Sequence, residues 1–451
     1  MSVGGIYIAP RSLITFSAEL IWLILSGVAL VLINGAASHE PLSGIVLLSQ
    51  TAVLLGTYLT IFFLMDLYAQ EVMTPGRALL LNLGQALALL CVVFGILAIG
   101  TTILRVDPYL ALVHVLITAV FVVCARSAID RVVSSARPMI RVGVVGSDSM
   151  LQALTLERDR LRNLDLRLYW LGDSIESAEA KLADNSNNAP SLGQLVIDPE
   201  LLQDPRSVGF VQRCRQRGLN LKDLRSFAEA MYGKVILERH LVSSLTTSPS
   251  VSSSIGRVIR RLRDVSIACL GLVITLPLTL LIALAIRLES SGPVFFEQER
   301  IGENGRRFKM YKFRSMYLNA KAAVGQHEWT THEADPRVTR VGRLIRPAHL
   351  DELPQLINVI RGEMSLVGPR PFHPAQVEQL DARVPYFGLR HLVTPGITGW
   401  SQITCDYEAS VQNREEVFAR DLYYIKHAGV LFDLLIMLDT IRVCVWRRGA
   451  R

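Results

Sequence analysis

Five long apolar stretches decide what this chain can fold into. Each is too hydrophobic to lie in water and approaches the length that crosses a bilayer. Four fall early, at residues 13–33, 44–65, 78–99 and 110–125, and the fifth is 265–286. About 20 helical residues cross the hydrocarbon core, so the fourth stretch is the short one. Half of the 451 residues are hydrophobic and mean hydropathy is positive, with most of the excess before residue 125. No small-residue cleavage site follows the first apolar run, which therefore reads as a retained membrane helix rather than a removed signal.

The placement of Lys and Arg orients the first four segments. Residues 34–43 hold neither, Arg77 stands in the next turn and Arg105 in the third loop. Arg126, Arg131, Arg137 and Arg141 follow the fourth segment. This pattern puts both ends of the four-helix unit in the cytoplasm. A net charge of +7 suits anionic lipid or phosphate partners. No known nucleic-acid motif is present, so nucleic acid is not an expected partner. The six cysteines are scattered without a CxxC pair, which argues against a zinc site or disulfide framework and for a reducing compartment.

Residues 139–147 form an apolar run that enters a glycine turn, as a buried strand would. Strand-like runs recur at 166–171 and 195–197, with amphipathic stretches at 150–164 and 205–217. This alternation predicts a Rossmann-like α/β domain. A dinucleotide fingerprint needs three glycines. Only Gly143 and Gly146 are present, and Asp148 stands where a phosphate would bind, so a structural or regulatory domain is expected. Residues 184–191 read as a surface loop, and the Ser/Thr-rich stretch 241–254 with Pro249 as a linker. The expected organisation is a four-helix transmembrane domain over 1–135, the α/β domain over 136–242, a linker over 243–256 and a C-terminal domain over 257–451.

The fifth apolar stretch poses a topological conflict. Arg257, Arg260, Arg261 and Arg263 precede it. Arg287, Arg300, Arg306, Arg307, Lys309, Lys312 and Arg314 follow it. A spanning helix would carry one of these basic flanks outside. Pro277 sits near the middle, where it removes a backbone donor and clashes with the preceding turn. The expectation is a re-entrant membrane helix over 264–288, broken at Pro277 and returning to the same side. The freed backbone groups would take partners such as Thr275. Residues 430–446 are also apolar but contain Asp433, Asp439 and Arg442. Each charge costs about 2.5–3.5 kcal/mol at a bilayer centre against about 0.3–0.6 gained per large apolar residue. That segment therefore belongs at the interface or packed on the C-terminal domain.

The chemistry gathers around Leu350-Asp-Glu-Leu-Pro-Gln355. Asp351 and Glu352 stand five residues after Arg346, and Arg370 follows inside Gly368-Pro-Arg-Pro371. Adjacent carboxylates boxed by cations and prolines, close behind an apolar segment, suit a phosphorylated substrate handled at a membrane surface. Arg forks match phosphate oxygens bidentately, which makes Arg346 and Arg370 candidate phosphate clamps; structural salt bridges to Asp or Glu are the alternative. Lys312 and Arg314 alternate in Tyr-Lys-Phe-Arg, where a strand would put them on one face. Gln298 and Arg300 are weaker candidates of the same type. Thr398, Gly399 and Trp400 shape either a pocket or a turn. His327 and His332 are spaced wrongly for one helical face and read as surface residues.

From about Ile255 onward the chain resembles the bacterial sugar transferases, the polyprenyl-phosphate sugar-1-phosphate transferases with a single catalytic membrane domain. The matching residues are Pro293-Val-Phe-Phe-Glu-Gln-Glu-Arg-Ile-Gly302, Phe308-Lys-Met-Tyr-Lys-Phe-Arg-Ser-Met316, Leu350-Asp-Glu-Leu-Pro-Gln-Leu-Ile-Asn358, Gly362-Glu-Met-Ser-Leu-Val-Gly-Pro-Arg-Pro371 and Pro395-Gly-Ile-Thr-Gly-Trp400. Four membrane helices followed by an α/β domain resemble the larger, exopolysaccharide-initiating members. Leu276 stands where relatives often carry Ser before the helix-breaking Pro, and Thr394 where many carry Arg or Lys.

The resemblance implies a mainly helical catalytic domain with a re-entrant helix in a multi-pass protein of the bacterial inner membrane. It implies transfer of a sugar-1-phosphate from a UDP-sugar to undecaprenyl phosphate, with release of UMP. It makes Asp351 the nucleophile, and Glu352 either a magnesium ligand or a proton acceptor, with Mg2+ held by this pair. Arg346, Arg370, Lys312, Arg314, Arg300 and Gln298 become contacts to substrate phosphate. Downstream glycosyltransferases would be partners, and a homodimer through the membrane or middle domain stays open. Two other readings compete. A nucleotide-sugar dehydratase would need a full glycine fingerprint and a Tyr-x-x-x-Lys pair; Tyr317 and Lys321 have that spacing but lie beyond the linker. A non-enzymatic scaffold would tolerate loss of Asp351.

Overall fold

The structure, a computed structural model, describes residues 2–3, 6–7, 10–38, 43–68, 76–100, 107–135, 140–146, 166–183, 192–237, 254–317, 337–405 and 414–446. The expected stretch 150–164, the loop 184–191, most of the linker 241–254, and Arg105, Arg137, Asp148, Lys321, His327 and His332 lie outside these residues. Two compact units are formed, Met1–Met231 and Tyr232–Arg451.

In the first unit, helices α1 (Pro10–Ser38), α2 (Gly44–Leu64), α3 (Arg77–Gly100) and α4 (Pro108–Ser135) form on the four early apolar stretches. All four are long and apolar enough to cross a membrane. The fourth helix runs well past the expected end at residue 125, because Cys124 to Ser135 contains no helix-breaking residue. Leu23, Leu54, Tyr58, Phe62, Leu83, Leu90, Val115 and Val122 make a common core. Arg126, expected as a flanking charge, lies inside instead. Its guanidinium bonds both oxygens of Glu19 at 2.7 and 3.1 Å and the Leu67 carbonyl at 2.9 Å. Neither charge of this pair is exposed. A buried arginine would be very costly alone; the bidentate carboxylate makes it tolerable.

The same unit contains β1 (Ile140–Val145), β2 (Leu166–Gly172), α5 (Ile175–Ala183), β3 (Gln194–Ile197), α6 (Ser207–Gln216), β4 (Asn220–Asp223) and α7 (Leu224–Tyr232). The strands form one sheet in the order β2-β1-β3-β4, every pair parallel. Val145, Leu195 and Ile197 from the sheet pack with Ala178, Phe210 and Cys214 from the helices. Gly143 is needed for packing, since a Cβ there would come within 2.9 Å of Leu171, Leu192 and Leu195. At the turn that follows the strand, a Cβ on Gly146 would meet Leu224 Cδ2 at 3.0 Å and Asp198 Cβ at 3.2 Å, so both glycines serve close packing.

The second unit opens on α8 (Ser254–Glu289), about 54 Å long by helical rise. The expected break at Pro277 is corrected here: the helix carries Pro277 inside it and continues on both sides. Proline removes the N–H that would reach the Val273 carbonyl, and the adjoining turns keep their own bonds. Thr275, expected to serve a freed carbonyl, donates its hydroxyl to Gly271 O at 2.7 Å instead. Leu270, Val273, Ile274, Leu280, Leu281 and Leu284 are exposed along its flank. Both ends of α8 nevertheless dock on the unit. Near its start, the second oxygen of Asp264 accepts from Ser365 Oγ at 2.5 Å, and Arg261 donates to the carbonyls of Val359 and Ile360. Near its end, Ile282 and Ile286 pack on Phe313 and Ile345.

The rest of the unit comprises an antiparallel hairpin, β5 (Phe295–Ile301) and β6 (Arg307–Phe313), then α9 (Arg340–Ile345) and α10 (Gln355–Arg361). Strand β7 (Ser365–Val367) pairs in parallel with β8 (Gly396–Thr398), and α11 (Pro374–Asp381) lies between them in sequence. Helices α12 (Trp400–Thr404), α13 (Arg414–His427) and α14 (Val430–Trp446) follow. Helix α14 packs on the unit through fully buried Phe432, Asp433 and Ile436. Asp433 takes Arg263 at 2.7 Å and Arg260 at 3.2 Å on one oxygen and the Tyr424 hydroxyl at 2.8 Å on the other. Two of the arginines that flank the membrane helix are thus spent on one internal carboxylate. Asp433→Ala should remove the acceptor shared by Arg260 and Arg263, of which Arg263 keeps Asp264 at 2.7 Å, and cost about 3 kcal/mol, read as a lowered Tm of the detergent-solubilised protein.

Candidate active site

A pair of short 3-10 turns, Arg346–Ala348 and Leu350–Glu352, sets the two carboxylates. His349 joins the turns in the left-handed region, at φ 52° and ψ 21°. That conformation costs a non-glycine residue roughly 1–2 kcal/mol. It is held by the His349 amide, which donates to Arg346 O at 3.0 Å, and by Glu352 N, which donates to His349 O at 3.1 Å. Beneath the turns, Leu350 and Leu353 pack on the core of Ile282, Ile286, Phe313 and Ile345. The end of the membrane helix thereby forms the floor of the carboxylate turn.

Glu352 is the meeting point of the cations. Its Oε1 accepts from Lys312 Nζ at 2.7 Å and from Arg370 Nη2 at 3.0 Å. Lys312 comes from β6, and Arg370 from the loop that leaves β7. Burial alone would raise the Glu352 carboxyl, but Arg370 and Lys312 overcome it and hold the group well below the usual range. Asp351, 8% exposed, is pushed the other way by burial, with Lys312, Arg346 and His349 only partly offsetting the rise. Burial also lowers Lys312, although Glu352 opposes the shift. Arg370 is the solvent-open member, with its side chain 46% exposed. Its other nitrogen donates to Gln402 Oε1 at 3.2 Å.

Most of the expected residues come together here. Asp351, Glu352, Lys312 and Arg370 form the centre, and Arg346 acts on Asp351 through charge. Arg300 stands close enough to Arg370 and Glu352 to feel both, and burial lowers it to about 10. Its guanidinium bonds Gln298 Oε1 at 2.5 Å and the Pro371 carbonyl at 3.1 Å, so Gln298 and Arg300 brace the Arg370 loop.

Arg314 is placed elsewhere. It is buried and donates to the carbonyls of Ile286, Ser290 and Ser291 at 3.2, 2.8 and 2.7 Å. Strand β6 ends at Phe313, so the strand alternation expected of Lys312 and Arg314 does not reach Arg314. It caps the C-terminal end of α8, where unpaired carbonyls attract a cation. Trp400 is structural as well, donating Nε1–H to Gly233 O at 2.6 Å. Thr398 bonds Thr440 at 2.7 Å. A Cβ on Gly399 would lie 2.2 Å from Gly368 O, so this glycine permits the close turn.

Gln402 and Asn358 were not singled out by sequence. Asn358, fully buried, accepts from Tyr311 N at 3.0 Å and donates to Lys309 O and Glu363 at 2.7 Å. It locks α10 to β6 and so fixes Lys312 relative to the carboxylates. A polar residue in the apolar run Leu356-Ile-Asn-Val-Ile360 was the available signal.

The family profile described as bacterial sugar transferase matches residues 255–447. A UDP-N-acetylgalactosamine-undecaprenyl-phosphate N-acetylgalactosaminephosphotransferase of Aeromonas hydrophila is 38% identical over 272 residues, covering 58% of this chain and 62% of that protein. A UDP-glucose:undecaprenyl-phosphate glucose-1-phosphate transferase of Escherichia coli K12 is 42% identical, covering 42% of this chain and 40% of that protein. The exopolysaccharide production protein ExoY of Sinorhizobium fredii is 38% identical, covering 44% of this chain and 89% of that protein. Except for the last, the similarity spans less than two thirds of these relatives.

The two carboxyls should titrate apart. Asp351 should ionise above the ordinary value of about 3.9, and Lys312→Met should move it further up by removing the strongest cation acting on it. Glu352 has a depressed folded value, so its stabilising effect is present above the unfolded pKa. That effect is lost only as pH falls through the folded value. Carboxyl-carbon NMR titration of the labelled protein reads both; ionisation of Asp351 at or below the ordinary value would contradict this ordering.

Proposed function

The chain belongs to the bacterial sugar transferase family, and from that premise we propose that it moves a sugar-1-phosphate from a UDP-sugar to undecaprenyl phosphate at the cytoplasmic face of the bacterial inner membrane. UMP leaves, and the undecaprenyl-diphosphate-sugar begins an exopolysaccharide or another surface glycan. The observation that carries this reading is the pairing of a buried Asp351, whose carboxyl burial raises, with a Glu352 that two cations hold ionised.

Asp351 Oδ attacks the phosphorus that bears the sugar, and the bond from that phosphorus to the bridging oxygen of UMP breaks. An acyl-phosphate to the sugar phosphate results. An oxygen of the lipid phosphate then attacks the same phosphorus and restores the Asp351 carboxylate. Arg370, open to solvent and forked, suits the diphosphate oxygens; Lys312 and Arg346 add positive charge where negative charge grows. Burial helps Asp351, since a poorly solvated carboxylate has less water to shed before it attacks. Glu352 is a weak base because two cations stabilise its ionised form, so it serves as a fixed charge and metal ligand rather than a proton acceptor.

Magnesium suits this donor set. Among the described residues no cluster of three or more acidic, His or Cys ligands exists, and magnesium is commonly bound by one or two carboxylates with waters and substrate phosphates. Asp351 and Glu352 would hold it, and it would supply charge neutralisation of the diphosphate.

The membrane arrangement follows the same reading. Both ends of α8 dock on one folded body, with Asp264 on Ser365 and Ile286 on Phe313. This supports a re-entrant placement with both ends on the cytoplasmic side. The middle α/β domain is a structural or regulatory element, and downstream glycosyltransferases receive the product.

Purified protein with magnesium and undecaprenyl phosphate should release UMP from at least one of UDP-glucose, UDP-galactose and UDP-N-acetylgalactosamine. Asp351→Asn should lose about 10³-fold or more of that release. Undiminished release by the variant would remove Asp351 as nucleophile. Single cysteines placed at Arg257 and at Ser290 should be labelled by an impermeant reagent from the same face; labelling from opposite faces would establish a spanning helix.

A further inference from the structure

The loop that carries Arg370 is tied at four consecutive carbonyls. Pro369 O accepts from Gly396 N at 3.0 Å, and Phe372 O accepts from Ile301 N at 3.0 Å. Between them, Pro371 O accepts from Arg300 Nη1 at 3.1 Å, and Arg370 O accepts from Arg390 Nη2 at 2.8 Å. Two guanidiniums thus hold the two central carbonyls. Arg300 belongs to the substrate cluster, but Arg390 does not reach it.

Arg390 is itself held in place. The same Nη2 donates to Asp421 Oδ2 at 2.8 Å, and both side chains are 2% exposed. Ser401 Oγ donates to the other oxygen of Asp421 at 2.6 Å. The guanidinium lies 4.0 Å from the Phe372 ring centre and 5.0 Å from that of Phe387, and these two rings stack at 10°. Position, plane and one donor direction of Arg390 are therefore all fixed. A buried ion pair is a poor device for stability alone, because apolar residues of similar volume do as well or better. What an apolar residue cannot supply is a donor aimed at the Arg370 carbonyl.

We infer that the Arg390–Asp421 pair is a positioning unit for the transfer reaction, holding the Arg370 backbone so that its guanidinium meets Glu352 and the substrate diphosphate. The inference rests on the transferase reading above for its catalytic consequence. Arg390 touches neither carboxylate, so its effect passes through Arg370. Lysine in its place keeps a charge near Asp421 but lacks the guanidinium plane that lies against Phe372 and Phe387 and fixes the one nitrogen serving both acceptors.

The test is a double-mutant cycle on UMP release with a UDP-sugar that the wild type uses. Arg390→Lys should lower kcat by about 10²-fold, the scale of a small misplacement of a binding group. In an Arg370→Ala background the same substitution should cost less than about threefold, because the group it positions is gone. Losses that multiply would overturn the inference and leave the pair as a general stabiliser. Should Arg390→Lys fail to fold, Ser401→Ala, which removes one donor from Asp421, enters the same cycle with the same criterion. Hydrogen exchange supplies a readout independent of activity. The amides of Gly396 and Ile301, which bond the loop carbonyls, should exchange about tenfold faster in whichever of the two variants folds, with α10 and β6 unchanged. Unchanged exchange at both amides would also overturn the inference. Absence of UMP release by the wild type from every donor would defeat the transferase reading, while the exchange result would still decide whether the pair positions the loop.

Discussion

One carboxylate oxygen, Glu352 Oε1, organises the catalytic unit. It accepts from Lys312 and Arg370 at once, and those residues arrive from a hairpin strand and from the loop after β7. No sequence-local rule would join them. Two cations around one acid leave a net positive charge beside Asp351, in a place where water is largely excluded. An anionic ligand is the electrostatic complement of such a place. The separation of the two acids follows from the same contact: Glu352 is held ionised, while Asp351, further from full compensation, keeps a raised carboxyl. Adjacent residues of nearly the same chemistry thereby acquire different protonation behaviour, which is what the proposed division into a fixed charge and an attacking group requires.

The membrane helix is integrated with this centre rather than attached to it. Its last turns, through Ile282 and Ile286, pack under Leu350 and Leu353, and Arg314 bonds the Ile286 carbonyl and those of Ser290 and Ser291 just beyond the helix. Its first turns are fastened by Asp264, Arg260 and Arg263 to Ser365 and Asp433. Ser365 begins the strand that leads into the Arg370 loop. The apolar helix and the polar clamp thus share supports at both ends, so a displacement of one is passed to the other.

What was legible in the sequence was what composition and local spacing encode. The four early helices and the long α8 are written directly in apolar runs. The carboxylate pair and its cations were visible as a charge cluster in a Pro- and Gly-punctuated stretch, and the parallel sheet as alternating apolar runs. Contacts distant in sequence were not legible. Arg126 reads as a membrane flank until Glu19, 107 residues away, is found beside it. Arg314 reads as the neighbour of Lys312 until β6 ends at Phe313 and the chain turns. Strand β4 escaped notice because Lys222 and Asp223 give it no apolar alternation on the sheet edge. Pro277 signalled a break, yet one missing hydrogen bond did not end a helix of 36 residues.

The proposed two-step transfer requires that Asp351 become covalently linked to the sugar phosphate. The most direct test is peptide mass spectrometry on protein quenched rapidly after mixing with a UDP-sugar that it turns over and magnesium, with no lipid acceptor present. The expected result is a mass increase equal to the sugar phosphate on the peptide containing Asp351. That increase should be lost when undecaprenyl phosphate is added before the quench. UMP release without any adduct on that peptide, under conditions where the linkage survives, would contradict a two-step transfer and point to direct attack by the lipid phosphate.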